Sequence, residues 1–361
     1  MHRSPGIAAT DASPAKPGRA NPALPGRAKR GVAVLTAALM LAGCVTTRDG
    51  RIGADDGADP CRMQVVALDS TGNFFGEDII RGAAIGAVGG AALGALLAAA
   101  TGQRGGGIAA GAAIGAVSGA AIGGTAGYLS ARQQQAQDQA SLTTAVATDL
   151  AAENAQIDRS WVAYTQLMDC RFSTGQRVRE AFRAGRLARD QAEAQLADVR
   201  ARTRRDLALA RSINDKIGER GQQFDVAIEN LAPGTKEQVM TGARVSRAVP
   251  VQARATVALK LRPEAAAPEV AQVSAREAVT LRPSYNGFTM VETASGVRGY
   301  APVGAFPEAR NLGAAPPQVM GSTSGDFRSL AASNIARRDN FSQSIENADR
   351  LAQGQGFELA S

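Results

Sequence analysis

Three cysteines and one histidine are the residues of this chain best suited to do chemistry, and their positions decide which chemistry is open. The histidine, His2, lies ahead of a basic pair, Lys29-Arg30, and an apolar run from Gly31 to Gly43 that ends at Cys44. Basic residues, a short apolar stretch and small residues before a cut make a secretory signal peptide. The run is about 13 residues, short of the ~20 a spanning helix needs. An uncleaved anchor or a plain signal peptide is the bland alternative, and the stretch before Lys29 is long for an n-region. With 1–43 set aside as signal peptide and pro-segment, no histidine remains. The Ser-His-Asp and Cys-His mechanisms are then closed, and the commonest zinc ligand is missing. Paired carboxylates remain open, but no acidic pair sits in an aromatic, polar setting, and aromatic residues are only 4% of the chain. The expectation is a non-enzymatic protein without metal or cofactor.

The segment Leu41-Ala42-Gly43-Cys44 resembles the lipobox of bacterial lipoproteins. That resemblance implies cleavage before Cys44 and lipidation of its thiol and new amino terminus, hence an exported, membrane-tethered protein. Val45 is not an acidic retention signal of the enterobacterial kind, which points to the outer membrane, facing the periplasm. The other thiols, Cys61 and Cys170, are an even pair in an oxidising compartment and read as a disulfide; two free thiols or pairing between chains are the alternatives. The whole chain has 40 basic and 33 acidic residues, but 1–43 holds six of the former and one of the latter. The remainder carries 34 and 32, so its basicity is no argument for a nucleic-acid partner.

The elements that must position these residues follow. Residues 44–78 read as a linker after the lipidated cysteine. Residues 79–130 carry glycine every fourth position: Gly82, Gly86, Gly90 and Gly94, then, past Thr101–Gly106, Gly107, Gly111, Gly115, Gly119, Gly123 and Gly127. Glycine costs ~1 kcal/mol against alanine in an exposed helix, so a stripe of ten needs a reason. On one helix face the missing side chains admit a second helix. Two arms of about 22 residues, each ~33 Å, make a hairpin long enough to cross a bilayer core, with Arg81 at its entrance and Tyr128 and Arg132 at its exit. The same stripe suits packing between copies, so a homo-oligomer forming a membrane pore or assembly platform is the alternative function. A flexible Gly/Ala linker is the bland reading. The stretch is similar to the glycine zippers of small outer-membrane lipoproteins of the rickettsial 17-kDa surface antigen type.

Residues 131–232 read as a long antiparallel coiled-coil hairpin. Its first seam is Leu142, Val146, Leu150, Ile157, Trp161, Tyr164, Met168, Val178 and Phe182; its second is Leu196, Val199, Leu207, Ala210, Ile213, Ile217, Phe224, Ile228 and Leu231. Gly185 suits a left-handed stop between them. Cys170 stands about 40 helical residues beyond Ser130, ~60 Å, and Cys61 reaches back at most ~60 Å from the zipper. Pairing within the chain is therefore easy only if the chain bends around 130–140 or the helix folds back.

Between 244 and 306 the period changes to two, in short runs separated by proline, Asn-Gly and Ser-Gly turns, which suggests a small barrel. Leu259-Lys-Leu-Arg-Pro263, Asn286-Gly-Phe-Thr-Met-Val291 and Ser295-Gly-Val-Arg-Gly-Tyr-Ala-Pro-Val303 resemble, in order, three motifs of bacterial SH3-like (SH3b) domains. Phe288 and Tyr300 stand where that family has tryptophans, and Ala275-Arg-Glu277 replaces its glycine-rich turn. The resemblance implies a module that binds peptides, cell-wall peptides among them, with Arg262, Tyr285, Phe288 and Tyr300 as groove residues; a core role for the two aromatics is the alternative. A linker (307–325) and an amphipathic helix (326–353) complete the chain. The expected protein is multidomain α + β: zipper hairpin, coiled-coil hairpin, SH3-like barrel and C-terminal helix. Its expected partners are membrane lipid and peptidoglycan or an envelope protein, which it would tether or organise.

Overall fold

The structure is a computed structural model that describes residues 48–75, 127–244, 248–284, 286–312 and 326–359. The first three helices are α1 (Arg48–Ile52), α2 (62–75) and α3 (Gly127–Gln135). The long helices α4 (Gln139–Arg183) and α5 (Arg189–Leu231) follow, then the short α6 (Thr235–Arg244). Six strands come next: β1 (Val249–Gln252), β2 (Val257–Lys260), β3 (Glu269–Val273), β4 (Ala278–Arg282), β5 (Phe288–Thr293) and β6 (Arg298–Pro302). Helix α7 (Phe327–Gln353) ends the element order apart from a short 3-10 turn at Gln355–Phe357. Among the described residues no helix is long and apolar enough to cross a membrane. The zipper from Gly82 to Gly123 lies outside the described residues.

The α4–α5 hairpin forms where the period of apolar residues requires it. Asp138 caps α4: its carboxylate accepts from Ser141 N at 2.7 Å, and Ser141 Oγ accepts from Asp138 N. At the far end Gly185 takes φ +68° and Arg186 N donates to Ala181 O, closing the helix through the left-handed residue. Leu187 packs back on the Val178–Leu196 cluster. Gly234, φ +76°, follows the end of α5.

The hairpin does not stand alone. Helix α7 lies along both long helices, with Leu330, Ile335, Phe341, Ile345 and Leu351 buried. It runs parallel to α4: Asn334 Nδ2 donates to Asn154 Oδ1 at 2.9 Å, Arg337 pairs with Asp158, and Tyr164 OH donates to Ser344 O. Within the segment 44–78, read as linker, the described residues 48–75 are more than a linker. Helix α2 lies antiparallel to α4, with Cys61 joined to Cys170 and Gln156 Nε2 donating to Thr71 O. Val65, Leu68 and Phe75 enter the common core. The alternation of small and large residues in α2 (Leu68, Gly72, Phe75) presents an apolar face, which the charged surroundings obscure in the sequence. The hairpin is thus part of a helical bundle.

The strands form one antiparallel sheet in the order β1-β4-β5-β6-β2-β3. It is open: β1 and β3 are its edges, where a small barrel was expected. Pro250 in β1 lacks a donor and suits an edge. One face closes on its own core of Leu259, Val273, Leu281, Val291, Ala301 and Phe306, completed by Ala309 and Leu312 from the segment read as linker. Gly299 crosses β2 so closely that a Cβ there would lie 2.7 Å from Leu259 Cβ.

A cleft between the sheet and the bundle as candidate functional site

Alternation along β5 and β6 sends Thr289, Val291, Gly299 and Ala301 into the sheet core and leaves Phe288, Met290, Arg298 and Tyr300 on the other face, toward the helices. Met290 and Tyr300 are register partners. The sheet is fastened to the bundle around them. Arg262 makes a two-pronged ion pair with Asp169 on α4, 2.6 Å at its shorter contact. Asn347 on α7 exchanges two hydrogen bonds with the backbone of Arg298, at 2.8 and 2.9 Å. Arg179 donates to Glu269 O and to Gly356 O.

Between these fastenings a cleft of about 350 Å³ remains. Trp161, Met168, Met290 and Tyr300 supply its apolar wall, and Arg262, Arg298, Asn340 and Gln343 its polar rim. Trp161 is half-buried and packs edge-on to Phe341, whereas Tyr164 is buried beneath it. Val162, at the mouth, is one of the few large apolar side chains left exposed. A concave, mostly apolar space with convergent polar groups is the usual form of a small-ligand or peptide site. Burial raises the pKa of Asp169, and the Arg262 pairing offsets only part of that. No group of His, Cys, Asp and Glu side chains among the described residues could hold a metal.

Of the expected groove residues, Arg262 and Tyr300 line this cleft. Phe288 shares Tyr300's face but pairs with Pro302 one step along and falls outside the lining. Neither aromatic is core: both are half-buried. Tyr285 lies outside the described residues. Trp161, Met168, Asn340 and Gln343 join the site from helices about 40 to 140 residues away in sequence, where their spacing reads as ordinary seam or surface.

A second constellation surrounds the cysteines. Cys61 and Cys170 form a disulfide with Cα atoms 5.8 Å apart. The interruption of the helix at 136–138, between α3 and α4, and the folding of α2 along α4 bring them together. Next to it Arg171, its side chain 2% exposed, donates to Asp59 at 2.8 Å and to Asp206 at 2.6 Å. Burial works against the Asp59 carboxylate, but the Arg171 and Cys61 N donors and the charges of Arg171 and Arg202 win, and its pKa falls. For Asp206 burial wins and the pKa rises. Arg202 pairs with Asp198, and Arg211 with Asp349, so both of these α5 arginines serve ion pairs.

The zipper's two junctions are also visible. Phe74, at the end of α2, lies under the guanidinium of Arg220 at 5.3 Å, and Arg220 is paired with the buried Glu153. Tyr128, at the start of α3, packs edge-on to Phe224 at 5.1 Å and its OH donates to Asp149. Arg132 pairs with the same carboxylate. Arg220 and Phe224 are one turn apart on α5, about 6 Å. Helices α2 and α3 therefore follow each other along one groove between α4 and α5. Gly127 opens α3, while Tyr128 and Arg132 are bound to the bundle.

No family model, curated protein or solved structure matches the chain.

Proposed function

We propose that this chain is a non-enzymatic lipoprotein of the bacterial envelope, held by a lipid on Cys44 and by a glycine-zipper hairpin, which tethers or organises membrane and peptidoglycan or a periplasmic protein through the cleft. The observation that carries the membrane half is the pair of junctions. Phe74 and Tyr128, on either side of the glycine-rich segment in sequence, lie against neighbouring turns of α5 at Arg220 and Phe224, as the two ends of a hairpin require.

The partner half rests on the strand module, read as a divergent SH3-like unit. The three motif-bearing strands are adjacent, in the order β5-β6-β2, and two of their motif residues, Arg262 and Tyr300, reach the cleft. The test has two arms. Mass spectrometry of the mature amino terminus should find an acylated Cys44, lost in Cys44→Ala. Co-sedimentation with purified peptidoglycan should fall several-fold in a Met290→Ser/Tyr300→Ser variant whose circular dichroism is unchanged. A water-soluble, unacylated wild type overturns the first arm; unchanged sedimentation of the variant removes the cleft as the tether.

A further inference from the structure

The described residues nearest in sequence to Cys44 and to the glycine-rich segment lie on one flank of the bundle, and the cleft opens on another. Cys44 precedes Arg48 by four residues, a reach of at most ~14 Å. Arg48 belongs to α1, which is fastened to α2: Arg51 makes a two-pronged pair with Asp69 at 2.8 and 2.9 Å, and Arg62 donates to Ile52 O and Gly53 O. Asp69 precedes Phe75, the last described residue before the glycine-rich segment, by six helical residues, about 9 Å. Gly127, the first described residue after it, lies in line beyond. Arg48 and the two residues that flank the glycine-rich segment, Phe75 and Gly127, are thus gathered along α2 and α3, on the side of the bundle rather than at its end.

The face of α2 turned to solvent suits a lipid interface. Met63 is 81% exposed, the most exposed large apolar side chain among the described residues. Ser70 and Asn73 are uncharged and exposed. Arg48 is exposed at its margin, 3.9 Å from Asp69, and a guanidinium so placed suits phosphate oxygens.

The cleft looks elsewhere. Around α4, Gln156 and Cys170 face α2. Asp158 faces α7, and Thr165 lines the cleft. At 100° per residue, Gln156 and Asp158 are about 160° apart and Cys170 and Thr165 about 140° apart.

We infer that the α1–α2–α3 flank lies on the membrane surface, so that the bundle lies along the bilayer instead of standing out from it as a stalk, and the cleft opens away from the lipid. The occupant of the flank is a phospholipid headgroup layer. This inference rests on the membrane-anchored reading above. It differs from a tip-anchored stalk in one measurable respect: α2 is at the interface along its whole length.

The test uses the full, mature, oxidised chain. There Cys44 carries lipid and Cys61 is paired with Cys170, which leaves one introduced cysteine as the free thiol. Ser70→Cys on α2 and Glu264→Cys at the rim of the cleft are each labelled with a fluorophore. The proteins are reconstituted into phosphatidylethanolamine/phosphatidylglycerol vesicles containing headgroup-nitroxide lipid. Quenching should be several-fold stronger at position 70 than at 264. A protein that floats with the vesicles but shows equal quenching at the two positions, or stronger quenching at 264, overturns the orientation alone. A protein that does not float overturns the anchored reading and the orientation with it.

Discussion

Opening the Cys61–Cys170 bond should cost this protein a large part of its stability, and the size of that cost follows from chain length. The bond closes a loop with a sequence separation of 109. In the chain-entropy account such a loop removes about 16 cal/mol/K from the unfolded ensemble, or about 4.8 kcal/mol at 25 °C. Other native contacts flank the bond and should persist without it: Arg171 holds Asp59, Arg51 holds Asp69, and Leu68 and Phe75 lie in the core. The loss should therefore appear as a lower unfolding midpoint with the same native spectrum. The comparison is urea unfolding of the wild type, of the wild type under dithiothreitol, and of Cys61→Ala/Cys170→Ala. Both reduced forms should lose about 3–5 kcal/mol. Alanine is preferred to serine because Cys61 is fully buried. A loss below about 1 kcal/mol in both forms would refute the reasoning, since the loop would then be closed in the unfolded state by something else.

Other perturbations test other parts of the fold. Deleting residues 76–126 and joining Phe75 to Gly127 with a short Gly-Ser linker should leave cooperative unfolding intact, because the two ends meet on adjacent turns of α5; the disulfide's contribution should shrink by only about 0.6 kcal/mol with the smaller loop. Non-cooperative melting of that variant would show that the zipper is integral to the bundle. Gly299→Ala should destabilise by about 1–3 kcal/mol, because the added Cβ meets Leu259 Cβ and the Lys260 carbonyl; an unchanged thermal midpoint counts against the β2–β6 packing described. For pH, the folded pKa of Asp206 is raised above its ordinary value by burial, so the folded state binds the proton first as pH falls and stability rises through that window. Asp59, with its pKa lowered, acts in reverse: its contribution is present above the ordinary aspartate value and is lost as pH falls through the lower folded one. Urea midpoints from neutral to strongly acidic pH should show the first gain in the wild type and a flatter mildly acidic limb in Asp206→Asn; identical limbs would remove Asp206 from the account.

Part of this molecule is legible in its residues. The three-and-four spacing from Leu142 to Leu231 marks two long helices, and their apolar residues are nearly all buried. Gly185, the Asn286-Gly287 turn and the Ser295-Gly296 turn take the positive φ that their placement between elements suggests. The alternating runs between 249 and 302 became the six strands. These are local properties: a period or a turn needs only its own neighbours to be recognised.

The rest depended on distant partners. Residues 62–75 look like linker because Asp69 and Arg62 interrupt the apolar pattern, yet Asp69 is neutralised by Arg51 and the segment becomes a core helix. Arg171 reads as a surface cation until Asp59 and Asp206, 112 and 35 residues away, enclose it. Phe288 and Tyr300 are equivalent in alternation, and the docking of the helices on the sheet leaves Tyr300 at the cleft and Phe288 outside it. By itself the sequence determined the signal-like amino terminus, the helical and strand periods and the even cysteine pair, because each follows from residue type and spacing. The tertiary structure alone decided that the strands stay an open sheet, that a cleft lies between sheet and helices, and that the zipper's two junctions share one flank. Those depend on long-range packing and charge pairing, which no single stretch of the chain contains.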